Sequence, residues 1–167
     1  MKVPIYKQKR NTCGPTALRM VLAYFGRSIS EAEIIKIIGG IKLYGSQTIK
    51  LAQAAEKLGF KTVSYSFNKL LVRGKAKIRK PNIQDVMSFL KKRTPVILAV
   101  RSSLLYREKL SEEGHFIVIT GYKGKRFFYN DPYDGKRHTI ALNELLFAWY
   151  NNVINSSAYL LVVWPKK

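Results

Sequence analysis

Cys13 is the single cysteine of the chain, and it stands in Q-K-R-N-T-C-G-P-T-A-L-R-M-V-L-A-Y-F, residues 8–25, where a helix should begin. A thiol at that place sits at the positive end of the helix dipole, which favours the thiolate and hence a nucleophile. A lone cysteine is also what a buried structural position looks like, so the nucleophile reading depends on finding partners. Acyl transfer by a thiol needs a base, a group that orients the base, and donors for the oxyanion. The chain has two histidines. His115 opens G-H-F-I-V-I-T-G-Y, a strongly apolar strand, and a ring held at the mouth of such a strand suits a general base. His138 lies in K-R-H beside a turn and reads as a surface residue. Asp131 ends the strand that returns from the His115 strand through the short turn Lys123-Gly124-Lys125, so its carboxylate can accept from the imidazole and fix its tautomer. Of the other aspartates, Asp85 reads as a helix cap and Asp134 as a turn residue bonded to its own backbone. Asp131, followed by Pro132, has turn character as well, and Asn130 is the alternative orienter. Gln8 can offer its side-chain N–H to an oxyanion beside the backbone N–H of Cys13, although a glutamine alone says little.

The elements that must hold these groups follow from periodicity. Leu18, Val21, Leu22 and Phe25 recur at helical spacing, Asn11 or Thr12 can cap the start, Pro15 is tolerated in a first turn, and Gly26 ends the helix. Ser30 with Glu33 is a capping box opening a second helix with Ile34, Ile35, Ile37 and Ile38, stopped by Gly39-Gly40. A third helix is expected over Thr48–Leu58. Then the period changes. Val63, Tyr65 and Phe67 alternate with polar residues, as a strand does. Residues 68–81 carry six Lys or Arg and read as a basic loop or irregular strand. Asn82 with Asp85 can cap a fourth helix, and Pro95–Val100 is a continuous apolar run, the mark of a strand buried on both faces. Residues 101–113 read as a surface loop. Strands are expected again from His115 to Gly121, Arg126 to Asn130, Arg137 to Ile140 and Ala158 to Trp164, with a short helix carrying Leu142, Leu145, Leu146 and Trp149. Helices dominate the first half and antiparallel-looking strands the second, which is an α+β arrangement with the helices packed against the sheet.

Length and composition set the frame. At 167 residues the chain is expected to form one domain, residues 1–167, with a core of its own. One cysteine excludes an internal disulfide, and a zinc site is not expected from one cysteine and two separated histidines. No run approaches the roughly 18 apolar residues of a membrane span, and the N-terminus has no signal-peptide core, so a cytoplasmic protein is expected. Lys and Arg number 30 against 10 Asp and Glu, a net charge of +20. That charge attracts nucleic acid or an acidic membrane surface non-specifically. The basic residues are spread along the whole chain, without a recognition motif for either.

Four stretches, Q-K-R-N-T-C-G-P-T-A-L-R-M-V-L-A-Y-F-G, P-V-I-L-A-V, G-H-F-I-V-I-T-G-Y and F-Y-N-D-P-Y, strongly resemble the papain-like cysteine peptidases of the bacteriocin-processing kind, peptidase family thirty-nine. The resemblance covers about residues 3–164. It implies a papain-like fold, Cys13 as nucleophile, His115 as base, Asp131 as the orienting carboxylate and Gln8 as the oxyanion glutamine, with no cofactor or metal. Members of the family remove double-glycine leaders from secreted peptides, so the implied partner is a peptide or protein substrate such as a leader peptide. The same triad serves an acyl or peptidyl transferase if an amine or thiol replaces water. A non-catalytic basic binding module of the same fold would be expected to have lost a triad member, and here all four positions are filled.

Overall fold

The computed structural model describes residues 1–42, 45–66, 77–79, 82–151 and 158–166. In chain order the elements are α1 (Cys13–Tyr24), α2 (Glu31–Ile38), α3 (Thr48–Lys57), β1 (Phe60–Ser66), β2 (Lys77–Ile78), α4 (Ile83–Lys91), β3 (Val96–Arg101), α5 (Ser102–Tyr106), β4 (Gly114–Lys123), β5 (Arg126–Asp131), β6 (Lys136–Ala141), α6 (Leu142–Tyr150) and β7 (Leu160–Pro165). The strands form one seven-stranded sheet in the order β2-β1-β7-β3-β4-β5-β6. Every neighbouring pair is antiparallel except β1 and β2. Of the basic stretch 68–81, the described residues give the short edge strand β2, and Arg79 N–H donates to Ser66 O at 2.8 Å. The rest of that stretch lies outside the described residues.

Alternation along the strands divides the apolar side chains into two cores. Phe116 and Val118 of β4 and Leu161 and Val163 of β7 join Leu18, Val21, Leu22, Ile34 and Leu51 of α1–α3 on one face. Their sequence neighbours Ile117, Ile119, Leu160 and Val162 join Val86, Leu90, Leu145 and Trp149 of α4 and α6 on the other. The N-terminal helices therefore pack on the sheet as expected, and α4 with α6 adds a layer on its far side. The central strand β3 is buried along Val96–Val100, so the continuous apolar run met in the sequence reflects cover on both faces.

Local signals explain most helix ends. Ser30 Oγ accepts from Glu33 N–H at 3.1 Å while Glu33 Oε2 accepts from Ser30 N–H at 2.9 Å, the reciprocal bonds of a capping box. Gly39 closes α2 in the left-handed region at φ +81°. Asn82 Oδ1 caps α4 by accepting from Gln84 N–H at 2.8 Å, and Asp85 instead pairs with Arg79 at 3.3 Å. The start of α1 departs from expectation. Thr12 occupies the cap position but turns its hydroxyl back to Lys9, accepting from Lys9 N–H at 2.9 Å and donating to Lys9 O at 3.0 Å. Thr12 therefore does not cap α1, and the N-terminal end of that helix, with its positive dipole, lies at Cys13.

Candidate active site

Cys13 is the first residue of α1, and α1 is pressed onto β4 at that end. Gly14 makes the approach possible. A Cβ there would lie 2.1 Å from Ser46 Oγ, 3.0 Å from Leu51 Cδ1 and 3.3 Å from Phe116 Cδ2. Phe116 is the neighbour of His115, so this close packing brings the start of α1 to the part of β4 that carries the imidazole. On one side of the His115 ring is the Cys13 thiol, which favours the charged ring. On the other, its Nε2 lies 2.7 Å from Asp131 Oδ1. With Nε2 committed to the carboxylate, Nδ1 is the nitrogen that serves the thiol.

The pairing of His115 with Asp131 depends on an irregularity in the hairpin. Gly121 sits opposite Phe128, but Ile119 sits opposite Tyr129 and Val118 opposite Asn130, because Thr120 is an extra residue in β4. Counting back from the turn without that bulge would set Asp131 opposite Val118, on the face toward α1–α3. With it, the ladder ends at Val118 and Asn130, a register that carried one residue further sets Asp131 against Ile117, which shares its face with His115. A one-residue slip changes the face of every side chain beyond it.

The pair is buried: His115 is 6% exposed and Asp131 1%. Burial opposes charge on the ring, but hydrogen bonds to Asp131 and Cys13, with the charges of both, outweigh it and lift His115 to about 9. Burial also penalises the Asp131 carboxylate. The hydrogen bond and charge of His115, with donors from the Tyr133 backbone and the Tyr106 hydroxyl, hold it below its ordinary value nonetheless. An imidazolium facing a carboxylate is thus the resting arrangement at neutral pH. Asp131 keeps its turn role too, since its Oδ1 accepts from Tyr133 N–H at 2.8 Å and its carbonyl accepts from Gly135 N–H at 3.0 Å.

Gln8 is brought to the same place through the backbone. Its N–H donates to Pro132 O at 2.7 Å, directly after Asp131. Gly135, at φ +71°, admits this docking, because a Cβ there would lie 2.9 Å from Lys7 Cβ and 3.2 Å from the Lys7 backbone. The Lys9–Thr12 turn then carries the chain from Gln8 to Cys13. Among the described residues, the side-chain oxygen of Gln8 is buried without a hydrogen-bond partner. Asn130, the alternative orienter, does not serve as one. Its Nδ2 donates to Val3 O at 3.1 Å and its Oδ1 accepts from Arg137 at 3.4 Å, so it staples the N-terminal segment to β5. His138 stacks on Tyr129 and pairs with Asp134 at 2.9 Å. Asp131, Asp134 and His138 place donor atoms within 4.8 Å of one another, but the oxygens of Asp131 are already filled by His115, Tyr133 and Tyr106.

The Peptidase_C39 like family matches the chain over residues 1–156. The chain belongs to that family. Among solved structures, this C39-like chain is similar to a putative C39-like peptidase from Bacillus anthracis, with a TM-score of 0.74 and 17% identity over 99% of this chain and 96% of that one. It is similar to the peptidase domain of Streptococcus ComA, a bi-functional ABC transporter of a quorum-sensing pathway, with a TM-score of 0.72 and 18% identity over 99% of this chain and 100% of that one. A double glycine motif protease from an AMS/PCAT transporter, solved in complex with the leader peptide, gives a TM-score of 0.66 and 22% identity over 99% of this chain and 93% of that one. These likenesses share the papain-like fold of C39 peptidase domains. Compared sequence against sequence, no curated protein matches the chain. Among the described residues, no helix of this C39-like chain is long and apolar enough to cross a membrane.

Sequence reasoning missed one member of the site. Residues 101–113 are not a plain surface loop, because they contain α5, whose last residue, Tyr106, donates its hydroxyl to Asp131 Oδ2 at 2.8 Å. A five-residue helix is too short to leave a readable period, and the tyrosine in S-S-L-L-Y-R has no local signal that sets it apart.

Proposed function

We propose that the chain is a cysteine peptidase, with residues 1–167 as one peptidase domain, and that it cleaves a peptide of the double-glycine leader type through Cys13, His115, Asp131 and Gln8. The single observation that carries this reading is His115, buried and bridged between the only thiol and a buried carboxylate. The Cys13 thiolate attacks the scissile carbonyl carbon. The N–H groups at the start of α1 and the Gln8 amide hold the oxyanion. The His115 imidazolium gives its proton to the leaving amine as the C–N bond breaks, leaving a thioester on Cys13. His115, now neutral, takes a proton from water, which attacks the thioester and releases the acid. Asp131 keeps the ring's Nε2–H in place, so that Nδ1 does the proton transfers.

The test is cleavage of peptides with a glycine-glycine junction against matched peptides with that junction replaced, by the wild type and by Cys13→Ala. Cleavage after the glycines by the wild type alone is expected. Cleavage by Cys13→Ala, or none of any peptide while iodoacetamide still labels Cys13 rapidly, would sink the reading.

A further inference from the structure

The mechanism above leaves Tyr106 without a role, and its geometry argues for one. Asp131 Oδ1 takes the His115 ring and the Tyr133 N–H, whereas the Tyr106 hydroxyl serves Oδ2 at 2.8 Å. The Tyr106 ring lies 5.8 Å from the His115 ring and 5.5 Å from the Tyr133 ring, so it flanks the His115–Asp131 bond. Polar ties hold the tyrosine there. Ser102 N–H and Oγ each donate to Glu113 O at 3.0 Å, Ser103 Oγ exchanges bonds with the Ser111 backbone at 3.2 Å, and Arg107, at φ +57°, pairs with Glu144. Beside α5 is a half-open cleft of about 520 Å³, lined by Ser103, Leu104, Arg107, Tyr129, Glu144 and Phe147 among others. Leu105 anchors α5 in the core, and at the last residue of the helix the Asp131 bond fixes the Tyr106 hydroxyl.

We propose that Tyr106 is a positioning residue of this site: its hydroxyl fixes Asp131 Oδ2, which keeps Oδ1 turned to His115, and its ring shields that bond from water. The inference rests on the peptidase reading of the site. Without the hydroxyl, Oδ2 becomes a buried acceptor with no donor, and the carboxylate must take up a proton more readily or turn away from the ring. The titratable groups around Asp131 are His115 from β4 with Cys13 beyond it, Tyr129 from β5 itself, Asp134 and His138 from the following turn and β6, and Tyr106 from α5. Burial, with the charge of Asp131 and its hydrogen bond, pushes the Tyr106 phenol far up, so it stays a donor throughout the working range.

Tyr106→Phe keeps the ring and removes only the donor. In the full chain we expect kcat to fall about ten- to a hundredfold, the usual loss of a hydrogen bond to a charged group, with KM unchanged. The acid limb of Cys13 alkylation by iodoacetamide should move to higher pH, because the carboxylate protonates sooner. A merely structural role would lower the folded fraction without moving that limb. A double-mutant cycle adds the second arm: in Asp131→Asn, Tyr106→Phe should change the alkylation rate no further. Should Tyr106→Phe fail to fold, 3-fluorotyrosine at position 106, a stronger donor of the same shape, should move the acid limb the opposite way. An unmoved limb, or equal losses in both backgrounds, overturns the proposal. Alkylation needs no peptide, so failure to find a cleavable substrate would count against the peptidase reading and leave this test standing.

Discussion

Asp131→Asn separates charge from shape at the heart of the site. The amide fills the same space and can still accept from the ring, but it cannot balance a buried imidazolium. In the native site His115 is lifted from its ordinary 6.5 to about 9 against the cost of burial. At about 1.4 kcal/mol per pH unit that displacement is worth about 3 kcal/mol, a factor of a few hundred in the population of the charged ring. Burial works against that rise, so Asp131 and Cys13 together supply more than this net displacement. The sign follows from proton binding. Between 6.5 and 9 the folded chain holds a proton on His115 that the unfolded chain has released, so this contribution is full below 6.5 and is lost as pH rises through 9. The Asp131 contribution runs the other way, present above the ordinary carboxylate value and lost as pH falls through its lowered value. The chain has two histidines, so NMR titration of their ring C–H signals reads both, and His138→Gln assigns them. In the wild type one ring should titrate near 9, and the alkaline limb of kcat/KM should fall with it. In Asp131→Asn that ring should fall well below 9, with a loss on the order of a few hundredfold in kcat at pH 8, and the decline of stability from pH 6.5 to 9 should flatten. A wild-type ring titrating near 6.5, or a ring still near 9 in the variant, would refute the reasoning.

Two further perturbations probe the frame around the triad. Gln8→Ala should lower kcat by about 10² to 10³ with little change in KM, as loss of an oxyanion donor does, and steady-state kinetics on the cleaved peptide would show it; a loss confined to KM would remove Gln8 from the oxyanion site. Deleting Thr120 removes the bulge that sets Asp131 on the face of His115, so the histidine titration should lose its component near 9 even if the hairpin re-forms, whereas retention of that value would mean that another feature sets the register.

The sequence by itself determined which chemistry was available, because one cysteine, two histidines and three aspartates leave few assignments, and local context sorts them. It determined the helices and strands whose signals are short-range: the Ser30–Glu33 box, the 3.6 period behind Cys13, the apolar run of β3 and the turn before β5. Other features lay beyond it because they are made by groups distant in the chain. The sheet takes β1 and β2 from the helical half through pairing with β7, and no local pattern names that partner. Thr12 is a good cap by composition, but its hydroxyl was drawn back to Lys9 and does not cap α1. Asn130 and Asp131 were both plausible orienters one residue apart; the face each presents is decided by the bulge at Thr120, since a strand side chain changes face with every residue. Gln8 gained its place from a backbone bond to Pro132, and Tyr106 from a fold that returns α5 to the end of β5. Residue type fixed what each group can do, and tertiary packing fixed which groups are close enough to act together.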